Sequence, residues 1–156
     1  MAGELTGTGP IKRGVVRLIR SNGPFEPPLR GGIHERLASK REKYPFIVYS
    51  AVSAPFVRDN GTAVDGGTRE IRMLMDISVL ASNQVDADNI DSTLDRLFSD
   101  QEEALGALVD GQTVILCHRV GDTPAGPDRD EEGRYYVQKG GTYEIWTVQP
   151  IPLPGP

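Results

Sequence analysis

His34, His118 and Cys117 are the residues best suited to nucleophilic or metal chemistry, for the chain has two histidines and one cysteine. Their spacing argues against both uses. Cys117 and His118 are neighbours in a stretch that reads as a strand, where successive side chains point to opposite faces, so they cannot make a catalytic pair. Neither histidine has a second ligand at metal-binding spacing, and both are expected to be structural. A lone cysteine forms no internal disulfide and no thiolate cluster for zinc or iron–sulfur, so Cys117 is expected as a small buried hydrophobe. The segment Asp128-Arg129-Asp130-Glu131-Glu132-Gly133 carries oxygens at alternate positions with glycine sixth, like the opening of a calcium loop. Its twelfth position, which should supply a bidentate glutamate, is Lys139, and no helical pattern flanks it, so a solvated acidic loop is expected. Gly7-Thr8-Gly9 with Gly14 has the look of a dinucleotide fingerprint, but no strand precedes it and Gly14 falls inside a helix. No Gly-Lys-Ser or Gly-Lys-Thr follows a glycine loop, which removes a P-loop. Asn60-Gly61-Thr62 fits the glycosylation pattern and reads as a turn. The helix carboxylates have no apolar pocket or second group to perturb them. No catalysis, metal or cofactor is expected.

The elements that position these residues follow from composition and pattern. At 156 residues and 17.0 kDa the chain is expected to form one domain. Hydrophobic residues at 38% suffice for a core, while 18 glycines and 12 prolines predict long loops or arms. No apolar run approaches the roughly 20 residues that span a bilayer, and the opening residues lack an apolar signal segment, so a soluble chain made in the cytoplasm, with no membrane partner, is expected. Net charge is −5 but unevenly spread: residues 1–45 hold nine Lys or Arg against four acids, and residues 86–111 hold one Arg against eight acids. Such a two-ended chain can set one copy's basic end against another copy's acidic end. A pI of about 5.0 and the lack of a basic run interleaved with aromatics argue against specific nucleic-acid binding.

Residues 1–9 read as a flexible arm, residues 10–149 as one domain and residues 150–156 as an extended Pro-rich tail. Ile11, Val15, Leu18 and Ile19 repeat at helical spacing, with Arg13, Arg17 and Arg20 forming a basic face opposite. Residues 24–32 are a Pro-rich connector, 33–43 a short helix with Ile33 and Leu37 buried, and 44–57 a strand. Residues 58–68 read as a loop. The clearest strand follows, with Ile71, Met73, Met75, Ile77 and Val79 on one face. Asp86 or Asp88 can cap the next helix, in which Ile90, Leu94, Leu97 and Phe98 face the core and Asp88, Asp91 and Asp95 make an acidic face. Ser99 with Glu102 is a capping-box pattern for a second helix burying Ala104, Leu105 and Leu108. Residues 112–120 read as an inner strand, 121–133 as a loop, and the remainder to Val148 as a strand pair or one interrupted strand. The order predicts an α+β fold: a mainly antiparallel central sheet of four to five strands with helices packed on one face.

Tyr44-Pro45-Phe46 leading into a strand, Ile77-Ser78-Val79 in the next strand, and an acid-capped helix directly after it together resemble the tail terminator (tail completion) proteins of long-tailed bacteriophages. The leading helix at 10–20 and a late strand like Thr142 to Val148 fit the same pattern, so the resemblance spans roughly residues 10–150. It departs from the family at the split helix around Ser99, the acidic loop and the Pro-rich tail.

The resemblance implies a structural virion protein, not an enzyme, at the head-proximal end of the tail, with assembly in the host cytoplasm. It implies a ring, by analogy a homohexamer, that caps the tail tube, stops its polymerisation and offers a docking surface to the head connector. The partners implied are further copies of the chain, the tail tube protein and the head–tail connector or neck protein, with DNA only passing through an acidic lumen. A ring needs a heterologous interface. Arg13, Arg17 and Arg20 meeting Asp88, Asp91 and Asp95 are the expected interface residues. Arg58, Asp59, Asn60, Asp65 and Arg69, in and beside the 58–68 loop, are the expected tube or connector contacts. Another neck or head-completion protein, or a small host enzyme or ligand-binding α+β domain, are the competing readings.

Overall fold

The computed structural model describes residues 8–22, 24–36, 43–52, 54–123 and 127–151. Helix α1 (Thr8–Ser21) buries Ile11, Val15, Leu18 and Ile19, the stripe its spacing requires. Its first turn takes in Thr8 and Gly9, and Pro10 costs nothing there because the first-turn N–H groups have no helical partner.

The 14-residue strand β4 (Thr68–Ala81) and the 16-residue strand β7 (Tyr135–Pro150) form the spine, paired antiparallel without a break from Thr68↔Pro150 to Ala81↔Val137. Ile71, Met73, Met75, Ile77 and Val79 are all buried, as alternation predicts. The segment with Lys139, Gly140 and Gly141 does not interrupt β7. A Cβ on Gly140 would sit 2.5 Å from the Ser78 Cα, so the missing side chain is what lets the two backbones keep their register.

One edge of β4 is covered in series. Strand β2 (Phe46–Ala51) pairs with Met75 to Leu80, and β3 (Phe56–Asn60) pairs with Thr68 to Arg72. The single strand expected over 44–57 is therefore two, and the loop expected at 58–68 shrinks to residues 61–67. All five β3 residues are exposed, which leaves no apolar alternation to read; the pairing exists because β4 is longer than β2 and its remaining N–H and C=O groups need partners.

The helix expected at 33–43 is corrected at its start. Ile33–Glu35 form strand β1, parallel to β2, and Leu37 to Glu42 lie outside the described residues. The cause is again backbone satisfaction: Ile47 N–H donates to Gly32 O at 2.9 Å and Arg36 N–H to Tyr49 O at 2.8 Å. Strand β5 (Thr113–Asp122) lies on the far side of β7, and the short β6 (Pro127–Arg129) pairs with the start of β7, so only part of the segment expected as loop at 121–133 lies outside strands.

The result is an α+β fold with a mixed seven-stranded sheet, running β1-β2-β4-β7-β5 with β3 and β6 appended. It has more strands than the four to five expected, and the β1–β2 pair makes it mixed where a mainly antiparallel sheet was expected. Helix α2 (Gln84–Phe98) packs on β4 and β7, and the short α3 (Glu102–Gly106) packs on β5. Helix α1 closes the same layer by packing on α2 and α3. The cap of α2 is Asn83, whose side chain accepts from Asp86 N–H at 2.9 Å, rather than Asp86 or Asp88. Ser99 terminates α2, its hydroxyl donating to Asp95 at 2.7 Å, and does not cap α3. Of the three residues expected to be buried there, Leu105 is buried, Leu108 half-buried and Ala104 exposed.

Candidate functional site

The acidic face of α2 lies over the sheet and is engaged by cations from it. Asp91, only 6% exposed, accepts from Arg119 Nη1 at 3.1 Å and Nη2 at 3.5 Å. The same guanidinium donates to Gly140 O at 2.6 Å and to the Tyr143 hydroxyl at 3.4 Å, and pairs with Asp122 at 2.8 Å. Tyr143 donates to Asp95 at 3.1 Å, and Asp88 is held at 2.7 Å by Lys139 Nζ. Burial pulls the Arg119 pKa down, but the bond to Asp91 outweighs it and holds the guanidinium above its ordinary range. The Lys139 bond, helped by Gln84, holds Asp88 below the usual carboxylate value. Burial, with the Asp95 charge, pushes the Tyr143 phenol well up.

Within one chain, then, the structure gives Asp88, Asp91 and Asp95 partners on β5 and β7. Arg17 pairs instead with Asp110, at 3.0 Å, and its Nη1 also donates to Leu108 O at 3.2 Å, tying α1 to the segment after α3. Arg13 and Arg20 share the exposed face of α1. Sequence reasoning missed Arg119, Lys139 and Tyr143, and a signal for the first was present. Cys117 was expected inside, and two residues on along a strand is the same face, so Arg119 is an inward cation that needs an acid on the overlying helix. Gly141 supplies the room: a Cβ there would fall 2.7 Å from Arg119 Cζ.

The residues expected to contact a tube or connector gather on the β3–β4 hairpin. Asp59 and Arg69 face each other across the ladder in a two-pronged pair, at 2.8 Å and 3.2 Å, which holds Asp59 below its ordinary pKa. Arg58 and Asn60 stand on the exposed edge strand, and Asp65 accepts from the Thr62 hydroxyl at 2.8 Å within the turn. Gly61 has φ +87°, and a Cβ on Gly67 would lie 2.6 Å from Asn60 O, so the turn depends on glycine at both places.

The face of the sheet away from the helices carries Arg72, whose guanidinium lies 3.7 Å from the centre of the Trp146 ring and 5.7 Å from that of Phe56. His118 pairs with Glu144 on that face, while Cys117 pairs with Ile145 in the core, so the two side chains do point apart. Burial, together with the charges of Glu102 and Asp100, pushes the Cys117 thiol up to about 12. His34 donates from Nε2 to Gly31 O at 2.6 Å and packs edge-on to Phe46. In the acidic loop the Asp130 carboxylate turns inward. One oxygen accepts from Glu132 and Arg134 N–H at 2.9 Å each; the other accepts from Arg134 Nε at 2.7 Å and the Tyr44 hydroxyl at 2.8 Å. Those donors occupy both Asp130 oxygens. Among the described residues no group of three or more His, Cys, Asp or Glu is arranged to hold a metal ion, and no helix is long and apolar enough to cross a membrane.

No protein-family model matches this chain, and no curated protein matches it. Among solved structures, the chain is similar to one in the virion of the native gene transfer agent (GTA) particle, at 10% identity and a TM-score of 0.43 over 74% of this chain and 78% of that one.

Proposed function

We propose that this chain is a structural virion protein of the tail-terminator kind. In this reading copies of it close into a ring, by analogy a hexamer, on the head-proximal end of a long phage tail tube. The ring stops tube polymerisation and presents a docking surface to the head connector, DNA passes through without specific binding, and no bond is made or broken.

One observation carries the reading. The three sequence pieces on which the resemblance rests form a single contiguous unit in space. Tyr44-Pro45-Phe46 lead into β2, and Ile77-Ser78-Val79 lie directly opposite it, in the pairs Tyr49↔Ile77, Val48↔Ser78 and Ile47↔Val79. Helix α2 then begins at Gln84, three residues after β4 ends at Ala81. That contiguity is what the resemblance requires of these three pieces. The exposed β3–β4 hairpin, held by Asp59 and Arg69, is the surface this reading gives to the tube or connector.

Negative-stain imaging of the purified chain, alone and mixed with growing tail tubes of its phage, tests the proposal. Annuli seated on tube ends and an arrest of elongation are the expected result. Tubes that grow past added protein refute it. Deleting Gly61 to Gly66 is expected to spare the annulus and abolish its seating.

A further inference from the structure

The charge asymmetry of the sequence becomes a spatial one at the two edges of the sheet. At the β1 edge, α1, β1 and β2 frame a groove of about 460 Å³ whose wall includes Lys12, Arg13, Val16, Arg20, Glu35 and Tyr49. Lys12 neutralises Glu35 at 3.0 Å. Arg20 is exposed at the end of α1, Arg36 is exposed just beyond Glu35, and neither forms an ion pair with a described residue. With Arg17, also in the wall, paired to Asp110, the positive surplus lies at Arg20 in the groove and at Arg36 beside it, next to the lining residues Val16 and Tyr49.

The β5 edge is finished differently. Cys117 turns its N–H and C=O away from β7, and both groups are taken: the C=O accepts from Asp100 N–H at 2.8 Å, and the N–H donates to Glu102 Oε1 at 3.3 Å. At Cys117 the edge therefore offers an incoming strand no free backbone pair. The cap presents Asp100 and Glu103 instead, both exposed and neither in an ion pair with a described residue. Asp100 also has a positive φ, at 57°, a backbone conformation non-glycine residues adopt sparingly and one that here carries the chain from α2 onto the β5 edge.

Four strand spacings separate β1 from β5, about 19 Å across the sheet, so the strands bearing these two features stand apart within one chain. We infer that the acidic cap on β5, through Asp100 and Glu103, docks into the basic groove at the β1 edge of a second copy, with Arg20 and Arg36 as its counter-charges. The contact joins two different patches and so repeats head to tail, closing into a ring where the rotation permits. It rests on the ring reading for its biological setting and names the faces by which that ring holds together. It keeps Arg20 from the expected basic face and gives it Asp100 and Glu103 as partner acids, while Asp88, Asp91 and Asp95 have partners within their own chain.

Sedimentation of the full chain tests it, using wild type, R20E/R36E, D100K/E103K and an equimolar mixture of the two variants, each checked for native circular dichroism. All four substituted residues are exposed, and because Arg36 and Asp100 have positive φ, at 63° and 57°, the circular dichroism check establishes that each variant keeps the native fold. Each variant is expected to self-associate at least about tenfold more weakly, because like charges then face each other. The mixture is expected to recover, since an acidic cap then meets a basic groove in alternating copies. Raising salt so that the screening length drops from about 10 Å to about 3 Å is expected to dissociate the wild type. A wild type that stays monomeric, variants that associate normally, or a mixture that fails to recover each overturn the inference. Association through these faces by a protein that leaves tubes uncapped would instead sink the terminator reading and keep the contact.

Discussion

Replacing Arg119 with methionine removes a cation that joins α2 to the underlying sheet through a buried carboxylate. At 3.1 Å and an effective dielectric of about 20, the Arg119–Asp91 attraction is about 5 kcal/mol, most of which offsets the cost of stripping water from both ions. The loss on mutation comes from what is left behind. Asp91, its side chain 9% exposed, keeps a charge without its counter-ion, a defect that costs about 3–5 kcal/mol in fully buried pairs. The partial exposure of Arg119, at 18%, lowers that figure, and the Gly140 carbonyl loses a donor worth about 1 kcal/mol. The sum is about 3 kcal/mol. With a urea slope of about 2 kcal/mol per molar, the unfolding midpoint falls by about 1.5 M. The double variant D91L/R119M, which removes both ions, is expected to stand within about 1 kcal/mol of wild type, because a packed apolar pair replaces a buried ionic one at little net cost. Urea titration followed by circular dichroism reads all four corners of this cycle. An R119M loss under about 1 kcal/mol, or a double variant that loses the sum of the singles, would refute the view that a stranded charge is what destabilises.

Two further outcomes follow from single positions. In Gly14→Ala, the new Cβ would lie 2.5 Å from Val109 Cγ2 and 3.3 Å from Leu108 O, wedging α1 off the segment after α3. A loss of about 1–3 kcal/mol is expected in spite of alanine's better helix propensity, with partial rescue by Val109→Ala; a more stable G14A variant contradicts this packing. Lys139→Met is expected to flatten the acid limb of the stability curve. Asp88 binds its proton more weakly folded than unfolded, so the Lys139 contact stabilises above the ordinary carboxylate value of 3.8 and is lost as pH falls through the lower folded value. Stability curves for wild type and K139M that run parallel from neutrality into acid would show that the pair contributes nothing.

Elements with a covered face were legible in the sequence, and those with an uncovered one were not. The α1 stripe and the Met-rich alternation of β4 announced themselves because burial on one side imposes a period on residue type. Strand β3 carries the exposed Arg58, Asp59 and Asn60, and β1 is three residues long. Such strands exist because a longer neighbour has unpaired backbone, which side-chain type does not record.

Charge behaved in the same way. That Arg13, Arg17 and Arg20 share a helix face, and that Asp88, Asp91 and Asp95 share another, follows from 3.6 residues per turn and needed no tertiary information. Which partners those groups take did. Arg119 reaches Asp91 only because Gly141 leaves a gap in β7 and β5 sets its inward residues under α2, a coincidence of three segments far apart in the chain. The sequence by itself determined the α+β class, the long central strand, the helices with a buried stripe at 8–21 and 84–98 and the uneven spread of charge, because each is a matter of local period or composition. Only the tertiary structure decided which acids are engaged on the sheet and which, at Asp100 and Glu103, remain turned outward, because an ion pair depends on distance in space and register alone fixes it.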